Sequence, residues 1–222
     1  MTGFDPGMGD LVANEITCRR GERLVFAGLS CVLPPGGALV LTGANGSGKS
    51  SLLRLLATLL APAAGQVVWG GMPVSDDIAR YRASLHYLGH LDAIKPALGV
   101  RETLVFWSAM RGVPAAPVDT ALEAFALEGL ADWPCRWLSA GQRRRLALAR
   151  LIAAPAPLWL LDEPTAALDT DGERRLVSVI EAHRSAGGRV AMATHQPLAL
   201  ADAHMLALED FAAASDDPLP EF

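Results

Sequence analysis

"ALVLTGANGSGKSSLLRLL", Ala38 to Leu56, is the stretch on which the fold turns. Leu39, Val40 and Leu41 form an apolar run without polar alternation, the mark of a strand buried on both faces. The run breaks into glycines and resumes as the helical pattern "SSLLRLLATLL". Between the two, "GANGSGKS", Gly43 to Ser50, spaces a glycine, four residues and Gly-Lys-Ser in the pattern of a phosphate-binding loop. A glycine-rich turn ahead of any helix needs none of these defined positions. Glycine lets successive NH groups converge on phosphate oxygens, while the following helix points its positive end at them. Gly43, Ala44, Asn45, Gly46, Ser47, Gly48 and Ser51 are therefore expected to wrap phosphates, Lys49 to reach the β and γ positions, and Ser50 to hold Mg²⁺.

Outward from this stretch, strands and helices alternate. Leu11 to Val40 reads as short strands, two of them flanking the turn at Pro34, Pro35, Gly36 and Gly37. "GQVVWGG" and "LHYLGH" are further strands. From about Val100 to Ala154 the pattern turns helical, in "RETLVFWSAMRG", "PVDTALEAFALEGL" and a helix after Ser139, which reads as a helical insertion. "PLWLLDEP", a helix from about Asp171 to Ala186, "GRVAMATH" and "HMLALED" restore the alternation. The class is α/β, with a parallel sheet covered on both faces. The acidic "SDDPLPEF" closes a tail, 212–222, expected to be loose.

With 222 residues, 51% hydrophobic and 19% charged, the chain can bury a full core and is expected to be one domain, 1–222. A net charge of −5 and only two lysines, Lys49 and Lys95, argue against a nucleic-acid surface. Cys18, Cys31 and Cys135 form no CxxC pair, which fits a reducing compartment, the cytoplasm, better than disulfides or zinc. "MTGFDPGMGD" lacks the basic and apolar regions of a signal peptide. Arg54, Pro155 and Pro157 break the longest apolar runs, so any membrane is expected to belong to another chain.

A phosphate loop requires an acid opposite it. "LWLLDEP", Leu158 to Pro164, offers Asp162 at the carboxyl end of a buried strand, where open α/β sheets bind ligands and where a carboxylate would meet the metal. Glu163, one residue on, is placed to orient or deprotonate an attacking water. His195 follows the strand "GRVAMAT" and is expected at the same sheet edge, as a γ-phosphate contact.

One further segment, "CRWLSAGQRRRLALARL", Cys135 to Leu151, has the grammar of a helix start. Ser139 and Gln142 have the spacing of a capping box. On that local reading Arg143, Arg144 and Arg145 are the solvated face of an amphipathic helix. The order of phosphate loop, "LSAGQ", strand-Asp-Glu, "AALD" and strand-end histidine resembles that of the ATP-binding cassette (ABC) ATPases, over roughly Leu11 to Leu208. The resemblance implies ATP and Mg²⁺ as ligands, and a mainly parallel core sheet with a small antiparallel β subdomain and a helical subdomain at about 92–154. It identifies Leu138 to Gln142 as the signature, with Ala140 for the usual first glycine. Ser139, Gly141 and Gln142 would then cap ATP held by Lys49 of a second subunit, in a head-to-tail homodimer. Asp169 of "AALD" would line that interface.

His90 takes the place of the usual glutamine of that family, and is expected near the metal through a bound water. Histidine titrates near neutrality, so a steeper acid loss of ATPase activity is expected than with glutamine. The pair His86 and His90 does not read as a haem or metal site. Arg20 stands where an adenine-stacking aromatic is usual, with Phe26 the alternative. With the sequence running only a short way past the last core strand, an appended regulatory domain is not expected. "YLGHLDAIKPALGVRETLVFW" and "LSAGQRRRLALARL" are similar to the ATP-binding subunits of the cytochrome c maturation haem exporter. That likeness implies a peripheral place on the cytoplasmic face of the inner membrane, a CcmB-like membrane subunit and CcmC-, CcmD- and CcmE-like components. The alternatives are a different compact exporter and an ATP clamp without turnover. A soluble cassette acting on DNA or ribosomes would need a coiled-coil insertion or a second cassette.

Overall fold

The computed structural model describes residues 9–113, 117–195 and 198–212. Two sheets organise them. β1 (Leu11–Arg20), β2 (Arg23–Leu33), β4 (Ala64–Trp69) and β5 (Met72–Pro73) form an antiparallel sheet in the order β2-β1-β4-β5. β6 (Leu85–Leu88), β7 (Leu158–Asp162), β8 (Arg189–Ala193), β3 (Ala38–Thr42) and β9 (His204–Ala207) form the second in that order, and every pair in it is parallel. The turn at Pro34–Gly37 therefore carries the chain from one sheet to the other and makes no hairpin.

The apolar strands do what a sheet covered on both faces demands. Along β3, β7 and β8 successive side chains point to opposite faces. Leu39, Leu41, Leu158, Leu160, Ala191 and Ala193 enter one core, with α1 (Lys49–Leu56) and the antiparallel sheet. Val40, Trp159, Leu161, Val190 and Met192 enter the other, with α3 (Val100–Met110), α4 (Val118–Ala124), α5 (Ala140–Ala153) and α6 (Thr170–Ser185). A short helix, α2 (Ile78–Ala83), leads into β6. The helices expected in the insertion, α3 to α5, run between β6 and β7 as the sequence pattern places them.

Phosphate loop, Asp162 and the segment after β8 thus sit at the carboxyl ends of adjacent parallel strands, β3, β7 and β8. Of the expected tail, Ala212 forms an isolated bridge with Phe26, and 213–222 lie outside the described residues. No helix among the described residues is long and apolar enough to cross a membrane. Cys18 and Cys135 are buried free thiols; Cys31 is partly buried, and burial pushes its thiol up to about 11.

Candidate nucleotide site

The chain turns from β3 into α1 at Gly48, whose φ of 107° is open to glycine and strained for other residues. A methyl there would also meet Val25 Cγ1 at 2.8 Å and Phe26 Cδ1 at 2.9 Å. No side chain caps α1, so the amides of its first turn have no cap acceptor and face the loop. Lys49 is buried and donates from Nζ to the carbonyls of Gly43 (2.6 Å) and Ala44 (3.0 Å). The hydroxyl of Ser47 is buried without a hydrogen-bond partner. Ser50 Oγ donates to Asp162 Oδ1 at 2.9 Å, joining the loop to the end of β7.

Glu163 follows with φ 49°, a left-handed conformation uncommon for a side chain of this kind. Its NH donates to Ala193 O at 2.9 Å, and its Oε1 lies 3.3 Å from His195 Nε2. A cavity of about 390 Å³ gathers Asn45, Gly46, Gly48, Lys49, Ser50, Ser51, Glu163, His195, Arg20, Arg23 and Val25. Oxygen donors at Ser50 and Asp162, a cation at Lys49, uncapped amides and the orphaned Ser47 hydroxyl suit a triphosphate with a hard divalent cation. Arg20 and Arg23 are cross-strand partners at the β1–β2 turn and share the rim. Phe26 is fully buried beneath Gly48, so it presents no open face for a base.

The signature segment stands apart from this cavity. Ser139 caps α5: its Oγ accepts from Gln142 NH (3.2 Å), and Gln142 Oε1 accepts from Ser139 NH (2.8 Å). Ser139 and Ala140 are exposed, Gly141 and Gln142 half-buried. A methyl on Gly141 would come within 2.9 Å of Ala167 O, whereas Ala140 points its methyl outward at the helix start. That contrast gives room for alanine at the first glycine position and a close backbone contact against it at the second. Asp169 caps α6, its Oδ1 accepting from Gly172 NH at 2.8 Å. His90 is exposed on the bend after β6 and does not line the cavity.

The solvated-face reading of the three arginines fails at Arg144, which is 3% exposed. Its guanidinium reaches backbone at the end of β7, because position 144 shares the inward stripe of Leu148 and Leu151 on α5. Arg143 is exposed, and Arg145 is half-buried against Phe125 O. Helical periodicity could have exposed the error. Glu209, whose Oε1 accepts from Ala44 NH at 2.8 Å, carried no such signal, since it lies 165 residues away in sequence. Arg23 and Val25 were also not foreseen.

A glycine loop running from strand to helix, with lysine and serine across from a strand-end aspartate, defines a P-loop nucleotide-binding protein. The ABC transporter family matches residues 26–166. The cytochrome c biogenesis ATP-binding export protein CcmA of Rhodospirillum rubrum is 56% identical over 210 residues, covering 95% of this chain and 90% of its own. CcmA of Paramagnetospirillum magneticum is 51% identical, covering 93% and 97%. Among solved structures, an ABC transporter ATP-binding protein from Pyrococcus furiosus superposes with TM-score 0.81 at 22% identity, covering 92% of this chain and 100% of that one, a likeness of fold. CbiO1 from Clostridium perfringens, part of the cbiONQ transporter complex, gives 0.71 at 25%, covering 84% and 78%. The chain belongs to the ABC transporter family and, within it, to the CcmA group. It is an ATP-hydrolysing ABC ATPase.

Proposed function

We propose that this chain is the ATPase subunit of the cytochrome c maturation haem-export complex, on the cytoplasmic face of the inner membrane. In this reading it works with a CcmB-like membrane subunit and CcmC-, CcmD- and CcmE-like components, and its ATP cycle releases the haem-loaded chaperone. The chain is a single ABC domain, 1–222, in which 92–154 is the helical subdomain.

The observation that carries the reading is the separation of two half-sites: Lys49, Ser50, Glu163 and His195 line one cavity, with Asp162 hydrogen-bonded to Ser50, and the Ser139 tip is exposed outside it. Gly43 to Ser51 and Lys49 would hold the triphosphate, and Ser50 and Asp162 would hold Mg²⁺; His90, exposed outside the cavity, is not among them. Magnesium supplies charge neutralisation at the phosphates. Glu163 takes the proton of the attacking water and His195 steadies the γ-phosphate. Arg20, with Arg23 beside it, stacks on the base. Ser139, Gly141 and Gln142 of a second copy complete the pocket, head to tail.

An exposed apolar face supports a membrane partner. Val105, Phe106 and Met110 on α3 are exposed beside a cavity of about 540 Å³ whose wall includes Arg82, Arg111 and Arg150. Among the described residues none of these arginines is within ion-pair distance of a carboxylate. An amphipathic segment with an acidic residue suits that surface.

Mixing copies tests the pairing. Lys49→Ala and Ser139→Arg chains, each inactive alone, regain partial ATP turnover when combined, because the mixed dimer keeps one intact composite site. No recovery in verified mixed dimers means that each pocket closes within one chain.

A further inference from the structure

We propose that Arg144 is a positioning residue that sets the geometry of Glu163 and conveys to it the position of the signature helix. The proposal rests on the reading in which Glu163 acts on water.

A guanidinium has five N–H donors in a rigid planar fork. In Arg144 all are engaged. Nε donates to Pro164 O (3.2 Å); Nη2 donates to Asp162 O (3.0 Å) and Glu163 O (2.6 Å); Nη1 donates to Gly89 O (3.2 Å) and Asp92 Oδ1 (3.0 Å). The carbonyls of three successive residues, Asp162, Glu163 and Pro164, thus converge on one buried side chain. At their centre is Glu163, whose left-handed φ persists only where its surroundings over-determine it. Apart from Arg144, the backbone of Glu163 has two hydrogen-bond partners among the described residues, Ala193 O for its NH (2.9 Å) and Ala166 NH for its carbonyl (3.1 Å). Arg144 supplies the remaining constraint.

The same side chain lies about one helical turn beyond Gly141, where an added methyl would meet Ala167 O at 2.9 Å, and its other arm holds the Gly89–Asp92 segment that contains His90. The first two turns of α5 therefore grip their own chain's catalytic turn, while the tip of the same helix, Ser139, faces outward toward a partner's nucleotide. A shift of that tip on closure is transmitted to Glu163 through a fork that has no slack. Each copy's own hydrolytic geometry then depends on whether it is capping its partner's ATP.

The test uses the full chain purified with its membrane subunit. Arg144→Lys keeps the charge but loses the planar fork; the expected result is a fall in kcat of about tenfold or more. KM for ATP and binding of a non-hydrolysed ATP analogue stay within about twofold, as no phosphate contact is lost. Asp92→Asn, at a partly exposed site, tests the clasp without burying an unpaired group: kcat falls by a smaller factor and Tm is unchanged. In a Glu163→Gln background Arg144→Lys adds no further loss to residual turnover. Full kcat in Arg144→Lys, a rise in KM alone, or the same proportional loss in both backgrounds overturns the proposal. Wild-type turnover in Glu163→Gln alone removes the underlying reading of Glu163, and is recognisable because it appears with Arg144 intact.

Discussion

The phosphate loop and the signature tip are both helix starts, but they are finished differently. α1 opens on Gly48 with no side-chain cap, and its lysine is folded inward against its own loop. α5 opens on Ser139 with both capping-box bonds made, and its tip is exposed. An uncapped start inside a cavity leaves amides available to an anion; a capped start on the surface is stable alone and offers its hydroxyl and dipole outward. In the proposed head-to-tail pairing, the difference teaches that the two halves of the pocket would be built to different standards, one for a permanent grip and the other for a contact made and released.

Four measurements break or sharpen that contrast. Lys49→Ala removes the inner cation, and ATP turnover falls by on the order of 10²-fold or more, read as phosphate release. Gly141→Ala drives a methyl against Ala167 O; turnover falls by about tenfold, while nucleotide binding by the isolated chain is kept, since that position is not in the inner cavity. Acid acts on the frame that carries both helix starts. Burial holds His183, stacked on Trp159 at 3.6 Å, down to about 4, and burial with the Arg111 and Arg150 charges holds His86 well below its usual range. Both are neutral when folded, so the unfolded chain takes up protons first as pH falls below about 6.5. Stability held above that pH is lost between about 6.5 and 4, by up to about 3 kcal/mol for His183, and Tm measured across this window declines accordingly. Ala140→Gly is the smallest effect, within about twofold in turnover and about 1 kcal/mol in stability, because the methyl projects from an exposed first turn.

Much of this was legible from local pattern. Gly43 to Ser50, the Asp162–Glu163 pair and the Ser139–Gln142 box are short-range signals, each resting on a few positions and their spacing. The apolar runs of β3, β7 and β8 announced a sheet buried on both faces, and it is. What pattern could not show were contacts between distant segments. Arg144 looked like its neighbours Arg143 and Arg145 because charge suggests solvent, whereas backbone carbonyls crowding a left-handed turn give a buried guanidinium its partners. Phe26 remained open as a base platform until the fold buried it under Gly48. Glu209 bracing Ala44 depends on a contact between segments far apart in the chain, which no local rule encodes.

β3 lies between β8 and β9, although it is made far earlier in the chain. During synthesis the strand that bears the phosphate loop must wait, both its edges unpaired, until the final strands leave the ribosome. A half-made chain therefore lacks both neighbours of the strand that leads into its phosphate loop, and the loop takes its final setting only when the last strands arrive.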